Sequence, residues 1–153
     1  ASFDEYNSHL NDLALLYQKY SQYSDTFYRL ESKLNLLEKA LLLSESLSEK
    51  SFTELKNVKD EYLLIKDKYD TSPSKNEIGE WDKPTIGSRL SIANEGLSTF
   101  YGPTGMNKYN LEVAKKLVDE YKNDVESINN VVKDLEEKIK NLNHPHISGS
   151  GIN

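Results

Sequence analysis

Few residues of this chain have the type and spacing that chemistry requires, and the clearest candidates are two carboxylates. Glu120 and Asp124 lie one helical turn apart, a spacing that would let them act as an acid and base pair. Lys116, Lys122 and Lys133 surround them on the polar side of the predicted helix. A solvated helix face explains this pattern better, so we predict no catalytic residue.

Ligands for a metal ion or a phosphate group are also sparse. His9 stands alone on a predicted helix, whereas His144 and His146 flank a proline near the end of the chain. The sequence contains no Glu-x-x-His pair of the kind that di-iron bundles use, and it contains no cysteine. Residues 102–108 superficially resemble a phosphate-binding loop, but they lack its Gly-Lys-Ser/Thr ending. We therefore expect no metal and no cofactor.

The charge balance favours protein partners over nucleic acids. The 153 residues include 19 basic and 25 acidic side chains, which give a net charge of -6, and the sequence shows no basic cluster. This balance disfavours nucleic acid and anionic membranes as partners. No segment approaches the roughly 20 apolar residues of a membrane span, so we expect no membrane insertion. The first residues lack both a start methionine and a signal-peptide pattern, so we expect an excised piece or a mature product.

Residues 102–104 carry the signals for the end of one helix and, directly after it, the start of the next. Gly102 can end one helix, Pro103 cannot continue it, and Thr104 can cap the next one. Apolar residues then recur mostly at spacings of three and four: Met106, Tyr109, Val113, Leu117, Tyr121, Val125, Ile128, Val132, Leu135, Ile139 and Leu142. This pattern predicts one helix over 104–142, roughly 57 Å long at about 1.5 Å per residue.

Two earlier helices follow from similar patterns. Apolar residues spaced three and four apart predict a first helix over 2–44. A serine-rich break follows it. Ser51 and Glu54 then have the spacing of a capping box, in which each side chain bonds the backbone N–H of the other residue. This motif predicts the start of a second helix over 51–70.

The region before Gly102 contains a loop and a third, weaker helix. A helix is predicted over 84–101, although Gly87 and Gly96 each weaken it by about 1 kcal/mol relative to alanine. The loop over 70–83 carries the only tryptophan, Trp81. We expect this side chain to cover one end of a bundle rather than to bind a ligand.

These elements predict an all-α fold in a single domain over 1–143, followed by a flexible tail over 144–153. Because short connections make neighbouring helices antiparallel, the expected architecture is an antiparallel up-down four-helix bundle. The first and last predicted helices are long and the two middle helices are short. We therefore expect the long pair to extend beyond the bundle as a coiled-coil stalk.

One face of the predicted stalk is wider than a single partner helix would cover. Leu13, Leu16, Tyr17 and Tyr20 lie on it, and monomers rarely expose large apolar patches. We therefore predict a protein interface centred on these four residues. Its occupant would be a second copy of the chain, giving a homodimer, or another domain of the same protein. A strip of tyrosines that binds sugars or a partner is the alternative to a core role for most of the ten tyrosines.

Three short stretches carry a resemblance to a known family. They are 84–91 (Pro-Thr-Ile-Gly-Ser-Arg-Leu-Ser), 101–104 (Tyr-Gly-Pro-Thr), and Tyr109 with 112–116 (Glu-Val-Ala-Lys-Lys). Together they resemble the C-terminal helical region of bacterial sortilin-type β-propeller proteins, which are often labelled glycosyl hydrolases. The chain departs from that family at residues 144–149, where such proteins often carry a short motif with Trp and Pro.

The resemblance implies a function but no catalytic site. In that family a helical segment follows the propeller, and a hydrolase site would lie in the propeller, so no catalytic residue is carried over. The implied function is a noncatalytic helical interaction or dimerisation module of a larger secreted, periplasmic or cell-envelope protein, with its own β-propeller as one candidate partner. The alternative is a stand-alone coiled-coil adaptor or scaffold, and an enzyme in its own right is a distant third.

Overall fold

Four helices form the part of the chain that the computed structural model describes, residues 3–44, 48–70, 85–97 and 102–143. In order they are α1 (Phe3–Leu42), α2 (Glu49–Tyr69), α3 (Ile86–Asn94) and α4 (Gly105–Asn143). No strand occurs among these residues, so the predicted all-α bundle with long first and last helices is confirmed. Trp81, the predicted helix end at 98–101 and the predicted tail over 144–153 lie outside the described residues.

The residues of α1 that face the core follow one another at alternating spacings of four and three. The buried ones, with half-buried Tyr20 and Tyr23 in the middle, are His9, Leu13, Leu16, Phe27, Leu30, Leu34, Leu37 and Leu41. Counting Tyr17 with Tyr20 and Tyr23 would give two consecutive spacings of three and would overwind the helix locally, but Tyr17 is 42% exposed. The regular spacing therefore continues past this point, and no local overwinding is needed.

The core sides of α4 and α2 follow the same spacing. On α4 the buried residues at this spacing are Asn107, Leu111, Ala114, Val118, Tyr121, Val125, Ile128, Val132, Leu135 and Ile139, and Asn110 is buried beside them. On α2 they are Ser51, Leu55, Val58, Tyr62 and Tyr69. From Tyr121 onward α4 agrees with the sequence prediction. Before Tyr121 the buried side is rotated, because Tyr109 is 61% exposed and Asn107 is 3% exposed.

The chain divides into two compact units, and α1 and α4 each contribute residues to both. The first unit comprises Ala1–Ser24 and Lys66–Asn123, and the second comprises Asp25–Ile65 and Asp124–Asn153. The short helix α3 belongs to the first unit, and most of α2 belongs to the second. In each unit a third helix therefore accompanies the α1 and α4 segments, where the sequence analysis expected a two-helix stalk.

In the first unit α1 and α4 run parallel. Glu5 of α1 forms an ion pair with Lys108 of α4. Further along both helices, the Asp12 carboxylate lies 3.1 Å from the Lys115 ammonium. Both helices thus advance in the same direction, whereas the sequence analysis expected antiparallel neighbours. The difference lies in α3, which runs antiparallel to α4, since Ile92 contacts Asn107 while Arg89 contacts Asn110. In this unit α3 is therefore also antiparallel to α1, whereas an up-down bundle would have the first and third helices parallel. The chain reverses once between α3 and α4, and this reversal sets the direction of α4 in the unit.

In the second unit α2 packs against α1 through an aromatic stack. The rings of Phe27 and Tyr62 lie 4.2 Å apart between centroids and are tilted by only 10°. The Tyr62 hydroxyl donates a 2.9 Å hydrogen bond to the carbonyl of Phe27. Ion pairs at Lys59–Glu38, Lys33–Glu136 and Lys138–Glu54 join the three helices around this core. These pairs are partly exposed, so the aromatic core contributes more to stability than they do.

The helix starts show which capping residues the chain uses. The Thr104 hydroxyl accepts a hydrogen bond from the backbone N–H of Asn107, as predicted. Thr85 caps α3 in the same way through Ser88. The predicted cap at Ser51 is wrong, because the N–H of Ser51 bonds to the Ser48 hydroxyl and α2 begins at Glu49. The serine-rich break before α2 therefore contains the true cap three residues earlier.

Gly96 ends α3 instead of weakening it. The helix stops at Asn94, Glu95 is its C-cap, and Gly96 follows with a φ of 74°. This left-handed conformation is one that glycine adopts without a steric penalty. The helix is consequently shorter than the predicted range over 84–101.

The two glycines of this region are expected to respond to alanine in opposite ways. Gly96→Ala should destabilise by about 1 kcal/mol, because an L-residue resists positive φ, although its Cβ would meet no atom within 4 Å. Gly87 lies inside α3, where an added Cβ would make an ordinary contact at 3.8 Å from the Thr85 hydroxyl oxygen. Gly87→Ala should therefore raise the free energy of unfolding by up to about 1 kcal/mol. Urea unfolding of both variants checks the signs, and a loss at both positions would contradict this reading.

None of the described helices combines the length and apolar character needed to cross a lipid bilayer.

Candidate functional site

A buried asparagine joins α3 to the start of α4 in the first unit. The Asn107 amide nitrogen donates to the carbonyls of Ile92 and Glu95, each at 2.8 Å. Its amide oxygen accepts from the backbone N–H and the hydroxyl of Thr104, also at 2.8 Å. One side chain thereby satisfies backbone groups at the end of one helix and at the beginning of the next. This asparagine has a structural role rather than a ligand-binding one.

Two further polar contacts hold α3 in place. The His9 Nε2 lies 2.8 Å from the carbonyl oxygen of Ala93, and because a carbonyl only accepts, Nε2 carries the proton. Arg89 donates to the Asn110 amide oxygen at 2.9 Å, and the Asn110 nitrogen donates to the carbonyl of Met106. His9 and Asn110 are therefore buried with partners. Neither asparagine was predicted to be buried, although the spacing of three and four extended backwards from Tyr121 leads to Leu111 and Asn107.

Three tyrosines pack together inside the first unit. The ring centroid of Tyr121 lies 5.9 Å from that of Tyr20 and 4.7 Å from that of Tyr69. Burial raises the pKa of Tyr121 to about 12, although its hydrogen bond with Ser24 acts in the opposite direction. Burial and the nearby Asp70 carboxylate also raise the pKa of Tyr20. The phenols of Tyr20 and Tyr121 therefore stay neutral at ordinary pH, and all three rings pack against one another inside the unit.

The raised pKa of Tyr121 has a measurable consequence at high pH. Its folded-state pKa of about 12 lies above the ordinary value of 10.0, so the folded chain holds this proton more tightly than the unfolded chain does. The stabilisation is complete below about pH 10 and is lost as the pH rises towards about 12. When unfolding free energies are measured across this range, the wild type should lose stability relative to Tyr121→Phe as the pH rises, because phenylalanine does not ionise. A constant difference would show that Tyr121 ionises normally.

The predicted interface residues do not share one exposed surface. Leu13 and Leu16 are only 3% and 6% exposed, and Tyr20 is half-buried. In the first unit both α3 and α4 contact α1, which supplies the cover that the sequence analysis found lacking. Tyr17 alone of the four is exposed, at 42%. The two leucines are therefore core residues of the chain itself.

A groove opens between α1 and α4 in the first unit. Its volume is about 430 Å³, and its lining residues are Asp12, Leu15, Leu16, Lys19 and Tyr23 from α1, and Lys115, Lys116, Val118, Asp119 and Lys122 from α4. Leu16 and Val118 are buried and form its floor, whereas Leu15 is 50% exposed. The groove thus combines an apolar floor with a charged rim.

Lysines predominate on the groove rim. The sequence showed no basic cluster, but the parallel pairing of α1 and α4 brings Lys19 to the same groove as three lysines of α4. The Lys115 ammonium lies 3.0 Å from Glu112 and 3.1 Å from Asp12, and the hydrogen bonds with Glu112 and then Asp12 raise its pKa. Among the described residues, Lys19, Lys116 and Lys122 make no ion pair. The groove is therefore a local basic region in a chain of net charge -6.

Of the candidate carboxylates, Glu120 takes part in an ion pair with α2. The Glu120 carboxylate lies 2.6 Å from the Lys68 ammonium, and both side chains are close to half exposed. His144 and His146 lie outside the described residues. Within the described part of the chain, no three His, Asp or Glu side chains lie close enough together to hold a metal ion.

Comparison with protein-family models, with curated proteins and with solved structures finds no match. The resemblance to sortilin-type proteins therefore stays a prediction that rests on the residues quoted for it.

Proposed function

We propose that this chain is a noncatalytic helical interaction module that binds a protein partner in the groove between α1 and α4. The observation that carries the proposal is the groove itself, with Leu16 and Val118 on its floor and the half-exposed Leu15 at its side. Apolar side chains bordered by charged ones are characteristic of surfaces that bind other proteins.

The dimensions of the groove suit a polypeptide. Its lining residues extend from Asp12 to Tyr23 on α1 and from Lys115 to Lys122 on α4, which at about 1.5 Å per residue gives a length of roughly 10 to 16 Å. An open surface of this length accommodates a few helical turns of a partner, as in helix-in-groove recognition.

The wider context of the module remains a proposal from the resemblance. In that proposal the chain belongs to a larger secreted, periplasmic or cell-envelope β-propeller protein, and the propeller or a second copy is the partner. The second candidate function is a stand-alone coiled-coil adaptor, which the regular spacing of four and three on α1, α2 and α4 favours. Repeated bladed β motifs encoded upstream of this chain would support the first candidate, and their absence would support the second.

Site-specific photo-crosslinking tests the binding proposal. A photoreactive residue at position 15, in the groove, should capture a partner in the source cells, and the captured protein is then identified and purified. The same residue at Leu64, which is 71% exposed on α2 in the second unit, is the matched control. Calorimetry of the purified pair should show that Leu15→Glu weakens binding and Leu64→Glu does not. Equal capture or equal weakening at both positions would contradict the proposal.

A further inference from the structure

The lysines on the groove rim indicate the charge of the segment that the groove would bind. Several lysines elsewhere in the described residues are matched by a carboxylate, among them Lys33 with Glu136 and Lys59 with Glu38. On the groove rim Lys19, Lys116 and Lys122 have no such match among the described residues, and the groove lining contains four lysines and two aspartates. We infer, on the basis of the proposed function, that this groove binds an acidic amphipathic helix of another protein.

The charge distribution favours a short acidic segment over an extended polyanion. The whole chain carries a net charge of -6, which repels long polyanions such as nucleic acid and the surface of an anionic membrane. A segment confined to the groove lies within a few Å of the lysines, well inside the Debye length of about 8 to 10 Å at ordinary salt. It therefore experiences the local basic field more strongly than the overall negative one.

The apolar floor defines the other half of the partner. Leu15 and Leu16 on α1 and Val118 on α4 line the groove with the lysines beside them. A helix lying in the groove would place apolar residues spaced three and four apart on this floor. Its flanking Asp or Glu residues would then reach Lys19 on one wall and Lys116 or Lys122 on the other. A segment of about three turns, roughly 16 Å, matches the length of the α1 wall.

Nuclear magnetic resonance with synthetic peptides tests the inference on the full chain. The probe is a peptide of about 14 residues with leucines at helical spacing and glutamates elsewhere, and a second peptide replaces every glutamate by lysine. The acidic peptide should shift the backbone resonances of residues 12–23 and 115–122, and the basic peptide should not. Raising the salt from about 0.1 to about 1 M, where the Debye length falls to about 3 Å, should weaken the acidic peptide's binding.

A matched pair of double variants isolates the groove charges. Lys116→Gln with Lys122→Gln should weaken binding of the acidic peptide about tenfold or more, as loss of charged contacts at an interface does. Lys133→Gln with Lys140→Gln changes the net charge equally at two exposed α4 positions outside the groove, and it should leave the affinity within about twofold. Similar losses in both variants would overturn the inference.

The remaining outcomes separate the inference from the proposed function. No binding of the acidic peptide, or equal binding of both peptides, would overturn the acidic-helix inference. The groove could then still capture a protein at position 15, and the proposed function would stand. Groove resonances that shift with the concentration of the chain alone would identify a second copy as the occupant and would also overturn the inference.

Discussion

Phe27→Ala is expected to lower the free energy of unfolding by about 3 to 5 kcal/mol, the range for removing a buried aromatic side chain. Phe27 is 1% exposed, and its ring stacks on that of Tyr62 at 4.2 Å. Truncation to alanine would remove this stacking and leave a cavity between α1 and α2 in the second unit. Urea or thermal unfolding followed by circular dichroism measures the loss.

Two controls separate the packing of this core from its hydrogen bond. Tyr62→Phe keeps the stacked ring and removes only the hydroxyl that donates to the Phe27 carbonyl, so it should cost about 1 kcal/mol. Tyr28→Ala removes a neighbouring aromatic residue that is 44% exposed, and it should cost clearly less than Phe27→Ala. A loss at Tyr28 as large as that at Phe27 would show that the buried side of α1 has been misassigned.

Asn107→Leu is expected to be the second costly change, at about 2 to 4 kcal/mol, because each stranded acceptor costs about 1 to 3 kcal/mol. Leucine has a similar size but removes the side-chain donor from the carbonyls of Ile92 and Glu95, and within the described residues only the Ile92 carbonyl keeps a second donor, the N–H of Glu95. The backbone N–H and hydroxyl of Thr104 also lose the amide oxygen that they share. The end of α3 and the beginning of α4 should therefore loosen together.

Chemical denaturation and hydrogen exchange measure this loss. Asn130→Leu, at an exposed position of the same helix, is the matched control and should stay within about 0.5 kcal/mol of the wild type. If Asn107→Leu prevents complete folding of the first unit, faster exchange of the α3 amides still reports the lost contacts. Unchanged stability together with unchanged α3 exchange would contradict the role assigned to Asn107.

The sequence predicted the helices well because their signals are local. The uninterrupted spacing of three and four from Tyr121 to Ile139 defines both the length of α4 and its buried side, and the structure confirms it there. Thr104 was identified as a cap because hydroxyl residues bond to the N–H groups of a first helical turn. In each case the necessary information lies within a few residues of the chain.

The direction of α4 and the groove depend on contacts that the sequence does not encode locally. Apolar spacing is the same for a helix that runs in either direction, so the parallel pairing in the first unit had no local signal. Asn107 looked like a surface residue because two of its side-chain hydrogen bonds go to Ile92 and Glu95, in another segment of the chain. Lys19 joins Lys116 and Lys122 only after α1 and α4 are placed side by side.

The parallel pairing of α1 and α4 in the first unit, on which the groove depends, can be tested in the native chain with a carbodiimide. This reagent joins an amine directly to a carboxylate, so it reports ion pairs in contact. We expect cross-links of Lys115 with Asp12 and of Lys108 with Glu5, the pairs that the structure brings together. Mixing isotopically light and heavy chains would establish by mass spectrometry that they form within one molecule.

An antiparallel pairing would give different products. It would place the last half of α4 beside the first half of α1, and α4 residues 18 or more positions beyond Lys115 lie at least about 27 Å further along the helix. Cross-links of Lys133 or Lys140 with Glu5 or Asp12, in place of the Lys115–Asp12 and Lys108–Glu5 products, would therefore contradict the parallel pairing and the groove that it forms.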